Sequence, residues 1–126
     1  MVDLPFAPPL DIVLDLPPPP SVNKTRKVDW RAQPKVRAWI KGANALTTFA
    51  WAAGKRPKEI LGRFEATIIL NEIKTKADLD NTPKRLIDYA RYLGLIADDS
   101  PKYMRRVIIE WGEAPEGCRL ILRPME

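Results

Sequence analysis

Apolar residues recur along the chain with two different periods, and the alternation between them predicts the order of its elements. Residues 11 to 16 place Ile12, Leu14 and Leu16 on one side of a strand, which the four prolines Pro17 to Pro20 then terminate. A helix is predicted from Pro34 to about Ala53, with Pro34 in its first turn and a stripe of Val36, Ile40, Ala43, Leu46 or Thr47, and Ala50. Gly42 lies inside that stripe and is expected to permit close packing, while Gly54 and Pro57 close the helix. Trp39, Phe49 and Trp51 spread too widely around it for one stripe, so this surface either faces another subunit or belongs to a broad core.

Residues 63 to 73 predict a central strand with Phe64, Ala66, Ile68 and Leu70 inward, leading through Lys74, Thr75 and Lys76 straight to Asp78. Thr82 then serves as N-cap and Pro83 as the first helical residue of a second helix, whose inner side is Leu86, Ile87, Ala90 and Leu93. Gly94 ends it. Two more strands, Met104 to Trp111 and residues 118 to 123, are joined by the turn from Gly112 to Gly117. The expected fold class is α/β (α+β): a small mixed sheet of about four to five strands with two main helices. The 126 residues suit a single domain spanning 1–126.

Composition narrows the chemistry. Twenty-one Lys and Arg against 16 Asp and Glu give a formal charge of +5, which favours a polyanionic partner. The chain has no His, which excludes a histidine base and histidine metal ligation, and its one Cys, Cys118, excludes a cysteine zinc cluster or an internal disulfide. Asp3, Asp11 and Asp15 interrupt the apolar pattern near the start, so neither a signal peptide nor a membrane span is expected, and a lone thiol fits a cytoplasmic location.

What this leaves for catalysis is carboxylates. Asp78 and Asp80, two apart in an extended segment, point to one side and can hold a cation between them. Lys84 and Asp88 follow Asp80 at intervals of four, placing the lysine one turn beyond the aspartate and Asp88 one turn further on. After Leu95, Ile96 and Ala97 comes a second acidic pair, Asp98 and Asp99; adjacent side chains diverge in extended chain, so only one of them is expected to join the first pair. Three carboxylates and a lysine at one rim suit divalent-metal phosphoryl chemistry, with Mg2+, or Mn2+ as substitute, held by hard oxygens.

The combination of Asp78-Leu79-Asp80-Asn81, Lys84, Asp88, Gly94 and Asp98-Asp99, in this order and spacing, resembles the RusA family of Holliday junction resolvases, small metal-dependent endonucleases. Pro18-Pro19-Pro20-Ser21-Val22-Asn23 is similar to the opening motif of that family. The resemblance implies that Asp78, Asp80 and Asp99 are the catalytic carboxylates and metal ligands, that Lys84 is the essential lysine, and that Asn81, Asp88 and Asp98 support them. It further implies that Asn23 lies near the active rim as a phosphate contact or a support to the ligands. The implied activity is paired nicking of four-way DNA junctions by a homodimer, leaving 5'-phosphate ends.

Residues 24 to 37 carry Lys24, Arg26, Lys27, Arg31, Lys35 and Arg37 against Asp29 alone, with Trp30 in their midst. This is either a solvated basic loop or, on a nuclease, a patch for backbone phosphates aided by Lys74, Lys76, Lys102, Arg105 and Arg106. Trp30 either stacks on an exposed base or packs on the core. Two functions therefore stand side by side. One is the junction endonuclease. The other is a non-enzymatic, basic nucleic-acid-binding or structural protein whose acidic clusters are turn and surface residues.

Overall fold

The computed structural model describes residues 11–20, 33–73 and 82–125. Four strands and two helices follow one another as β1 (Ile12–Leu16), α1 (Pro34–Ala53), β2 (Phe64–Leu70), α2 (Thr82–Tyr92), β3 (Met104–Trp111) and β4 (Cys118–Pro124). The strands form one mixed sheet in the order β1-β4-β2-β3. The predicted α+β class and its four strands and two helices are present.

Strand order is where local pattern and tertiary structure part company. A six-residue connection joins β3 to β4, yet these two strands are not neighbours. β3 lies parallel to β2, to which α2 connects it, while β4 runs antiparallel between β1 and β2. β4 is thereby buried between two partners, and β1 and β3 become the edges.

Register sorts the side chains. Ile12 and Leu122, Leu14 and Leu120, and Leu16 and Cys118 are opposite one another, and Ala66, Ile68 and Leu70 continue the same rows. These residues are all buried and form the core with Trp39 and Ala43 of α1 and Leu86, Ile87, Tyr89 and Ala90 of α2, so both helices lie on this one face. The opposite face carries charge in register. Asp11, Arg123, Glu65 and Arg106 form a row of alternating sign, with Arg123 3.2 Å from Asp11 and both arginines 3.6 Å from Glu65. Asp15 and Arg119 pair at 2.7 Å on the same face, beyond the row of Val13 and Ile121.

The buried stripe of α1 is Val36, Trp39, Ala43 and Thr47. Ile40 is only partly buried and Ala50 is exposed, so the stripe is rotated toward Trp39 relative to expectation. The cause is the indole itself, which meets Tyr89 of α2 edge-on at 5.2 Å and donates its N–H to the Pro17 carbonyl at 2.7 Å. The Tyr89 hydroxyl in turn donates to Asn44 Oδ1 at 2.6 Å and lies 3.4 Å from Thr47 Oγ1, which satisfies the polar atoms between the helices. Trp51 is half-buried under the Arg56 guanidinium, leaving Phe49 as the exposed aromatic of the three. The α1 aromatics therefore serve mostly the subunit's own core. Gly42 faces open space, so close packing is not its role.

Gly117 does answer a packing demand. Its φ is +115°, and a Cβ there would stand 2.7 Å from the Pro18 ring, so the turn before β4 and the proline tract after β1 fit together only around glycine. Among the described residues no helix is long and apolar enough to cross a membrane.

Candidate functional site around α2

α2 is strongly two-sided. Leu86, Ile87, Tyr89 and Ala90 face the core, while Lys84 is exposed and Asp88 stands half-buried at the boundary. The helix starts at Thr82, itself buried, with Pro83 in its first turn. Its end is fixed as expected at Gly94, whose φ of +77° is left-handed. The Leu95 N–H donates to the Ala90 carbonyl at 3.1 Å and the Gly94 N–H to Arg91 at 3.0 Å, the paired bonds of a Schellman cap. Arg56, in the turn after α1, adds a bond to the Leu93 carbonyl at 2.7 Å and so caps the second helix rather than its own. Leu95 and Ile96 are then buried, and the Ile60 N–H donates to the Leu95 carbonyl at 2.8 Å, which locks the return of the chain.

That return brings the second acidic pair back alongside α2. Asp98 and Asp99 do not diverge: both place Oδ1 near the same guanidinium nitrogen of Arg91, at 3.2 and 3.3 Å. The divergence expected for extended chain fails because this segment is a bend ordered by Arg91, with the Asp99 N–H also donating to Asp98. Arg91 escaped the sequence analysis. Its signal was present as a lone cation in the last turn of α2, seven and eight residues before the pair it binds.

Two carboxyls respond in opposite directions. Burial pushes the Asp88 carboxyl above its ordinary value, the negative charge of Asp99 adds to that, and Lys84, Arg85 and Arg91 oppose it. Arg85 lies 4.0 Å from Asp88. The Asp98 carboxyl is held below its ordinary value, chiefly by the bond from the Asp99 N–H, with Ser100 and Arg91 contributing. Lys84, Asp88, Arg91, Asp98 and Asp99 thus form one charged cluster built by α2 and its return loop.

The other half of the expected site, Asp78, Asp80 and Asn81, lies outside the described residues, as do Asn23, Lys24, Arg26, Lys27, Arg31, Lys74 and Lys76. The route toward Asp78 differs from expectation. β2 ends at Leu70, and the Asn71 side chain accepts the Ile73 N–H at 2.9 Å, a short turn that interrupts the strand before Lys74. The chain therefore leaves β2 through a turn at residues 71–73.

Of the remaining basic candidates, Lys102 sits over the Tyr103 ring at 5.4 Å and Arg105 donates to the Pro101 carbonyl at 2.8 Å. Arg106 pairs with Glu65 at 3.6 Å. Arg105 falls at the irregularity between β3 and β2, so the two arginines are held by different partners, the Pro101 carbonyl and Glu65.

Among the described residues, no three acidic or cysteine side chains converge to hold a metal ion. Asp99 has the right chemistry for one ligand, a carboxylate about one-third exposed beside a second carboxylate, so the described part fits one corner of a divalent site. No model of a known protein family matches the chain, and no curated protein matches it.

Proposed function

We propose that this chain is a divalent-metal-dependent endonuclease acting on branched DNA, of the kind that the RusA-like motif implies. The observation that carries the reading is the return of Asp99 to the side of α2 that bears Lys84 and Asp88, close enough for its charge to act on Asp88. A carboxyl pushed up by burial and by a neighbouring like charge is a functional-site candidate on physical grounds.

In this reading Asp78, Asp80 and Asp99 hold Mg2+, or Mn2+ in its place, and the ion supplies charge neutralisation and an activated water when bound. The chain's own side chains do the rest. Lys84, exposed on the first turns of α2, stabilises charge growing on the scissile phosphate and the leaving oxygen, where electrostatic help counts more in the transition state than in the ground state. Asp88, one turn on, positions Lys84; Arg91 positions Asp99 and Asp98. The basic tract from 24 to 37 tracks backbone phosphates, and a homodimer presents two such sites to opposing strands of a four-way junction in the cytoplasm.

A second reading draws on the same Arg91. Its guanidinium already pairs with both late aspartates, as it would in a non-enzymatic nucleic-acid-binding protein with a structural ion-pair cluster. One experiment separates the two. Purified protein is incubated at saturating concentration with labelled four-way junction or linear duplex, with Mg2+ or chelator, alongside Asp78→Asn, Asp80→Asn, Asp99→Asn and Lys84→Ala. The expected result is Mg2+-dependent junction cleavage that falls by orders of magnitude in each variant while binding persists. Binding without cleavage in the unmodified protein, or near-normal rates for Asp78→Asn and Asp80→Asn, rejects the nuclease.

A further inference from the structure

β3 is an edge strand of eight residues without proline, and its one irregularity against β2 lies at its start, opposite Phe64 and Glu65. Among the described residues nothing pairs with its outer edge. Such an edge is a template for another strand unless it is blunted. Its residues on the helix-covered side are also uncovered: Val107 and Ile109 are 40% exposed and Trp111 46%. The Gly112 N–H donates to the Leu70 carbonyl, so by the alternation of a strand the even-numbered residues turn their amides to β2, and Val107, Ile109 and Trp111 turn theirs outward.

The geometry points to a second copy of this chain as the occupant, through antiparallel pairing of β3 with itself about a two-fold axis at Ile108. A two-fold perpendicular to a sheet places residues of the same face opposite one another, so the only freedom is the residue on which it centres. Centred on Ile108, the pairing sets Arg106 opposite Glu110 of the other copy, twice, flanking an Ile108 to Ile108 contact on the open face. On the helix side it sets Val107 opposite Ile109, two apolar residues of the same exposed row.

Neighbouring registers lack this fit. Centred on Val107, Arg106 faces Ile108; centred on Ile109, Glu110 faces Ile108. Charge and apolar complementarity therefore select one register, and two four-stranded sheets become one of eight strands. This locates the dimer of the proposed nuclease on β3 instead of α1. Its test involves no DNA, so failure of the pairing and failure of the nuclease reading are read separately.

Sedimentation velocity of the full chain across a concentration series provides the measurement. A reversible dimer is expected, weakened at least ten-fold by Glu110→Arg or Arg106→Glu alone, since each reversal puts like charges opposite one another twice. The double variant Arg106→Glu/Glu110→Arg should return the dissociation constant to near that of the unmodified chain. An independent arm uses Ile108→Cys, which should form a disulfide dimer rapidly under mild oxidation because the two-fold places the two thiols together, whereas Val13→Cys on the opposite edge should not; Cys118 is buried and does not interfere. A monomer at every concentration, a dimer indifferent to both reversals, or a double variant no more dimeric than the singles overturns the proposal.

Discussion

The two edges of the sheet have the same written pattern and opposite fates. β1 alternates Ile12, Leu14 and Leu16 with polar or exposed residues, and all three are buried beneath α1. β3 alternates Val107, Ile109 and Trp111 with Arg106, Ile108 and Glu110, and the first three stay 40% to 46% exposed. Alternation thus specifies which side chains share a face, but it is silent on whether anything covers them. The electrostatics divide the same way. Near β1 acids and arginines alternate in register, Asp15 with Arg119 at 2.7 Å and Asp11 with Arg123 at 3.2 Å, while the loop leading to β3 makes the adjacent Asp98 and Asp99 share Arg91. The covered edge is packed within the subunit; the β3 side leaves apolar surface exposed and sets two carboxylates against one guanidinium.

The sharpest test of that contrast compares truncation of matched residues. Leu14→Ala removes a fully packed side chain and should cost about 2–5 kcal/mol in urea unfolding. Ile109→Ala at low protein concentration should cost on the order of 1 kcal/mol, in proportion to the smaller area it buries. If β3 pairs with a second copy, the Ile109→Ala deficit grows with protein concentration and the Leu14→Ala deficit does not. Equal losses for the two at low concentration would erase the distinction between the edges.

Next in size is Gly117→Ala, where β4 meets the exit of β1. The new methyl would stand within 2.7 Å of Pro18 on a backbone of φ +115°, and a loss of about 1–3 kcal/mol in midpoint stability is expected. An unchanged midpoint would show that the proline tract yields and that the covered edge is less rigid than its packing implies.

Gly42→Ala should act in the other direction, on the helix that covers β1. The position is exposed, helical and faces open space, so alanine should raise stability by roughly 0.5–1 kcal/mol through helix propensity. A loss would mean that something does approach Gly42, and thermal denaturation decides the sign.

The smallest effect belongs to the charged loop before β3. Asp88 has a folded-state pKa above its unfolded one, chiefly through burial, so its protonated form favours the fold and that contribution disappears as pH rises through the folded pKa. Asp88→Asn should therefore be slightly more stable than the unmodified chain at neutral pH, and the two should converge below about pH 4, where an unfolded aspartate is itself protonated. Asp98 has the reverse sign: its lowered pKa favours the fold above the unfolded value and that contribution is lost as pH falls. An Asp88→Asn chain that is less stable at neutral pH would show that its pairs with Arg85 and Lys84 outweigh burial and the Asp99 charge.

The sequence by itself determined the elements, the inner row of each strand and the end of α2. These depend on short-range rules: period two for Phe64, Ala66, Ile68 and Leu70, and the freedom of Gly94 to adopt a φ of +77°. The charged cluster was half legible for the same reason, since Lys84 and Asp88 share a side of one helix at a spacing of four. Only the tertiary structure decided that β4 inserts between β1 and β2, that Trp39 rather than Ile40 anchors α1, and that Asp98 and Asp99 converge on Arg91. Each of these is set by what another element offers at close range: an open hydrogen-bonding edge, the Tyr89 ring with the Pro17 carbonyl, a guanidinium at the end of a capped helix. A pattern along one segment carries the preferences of that segment and no information on the distance to its partners, so it names the faces that seek cover and leaves the choice of cover to the folded chain.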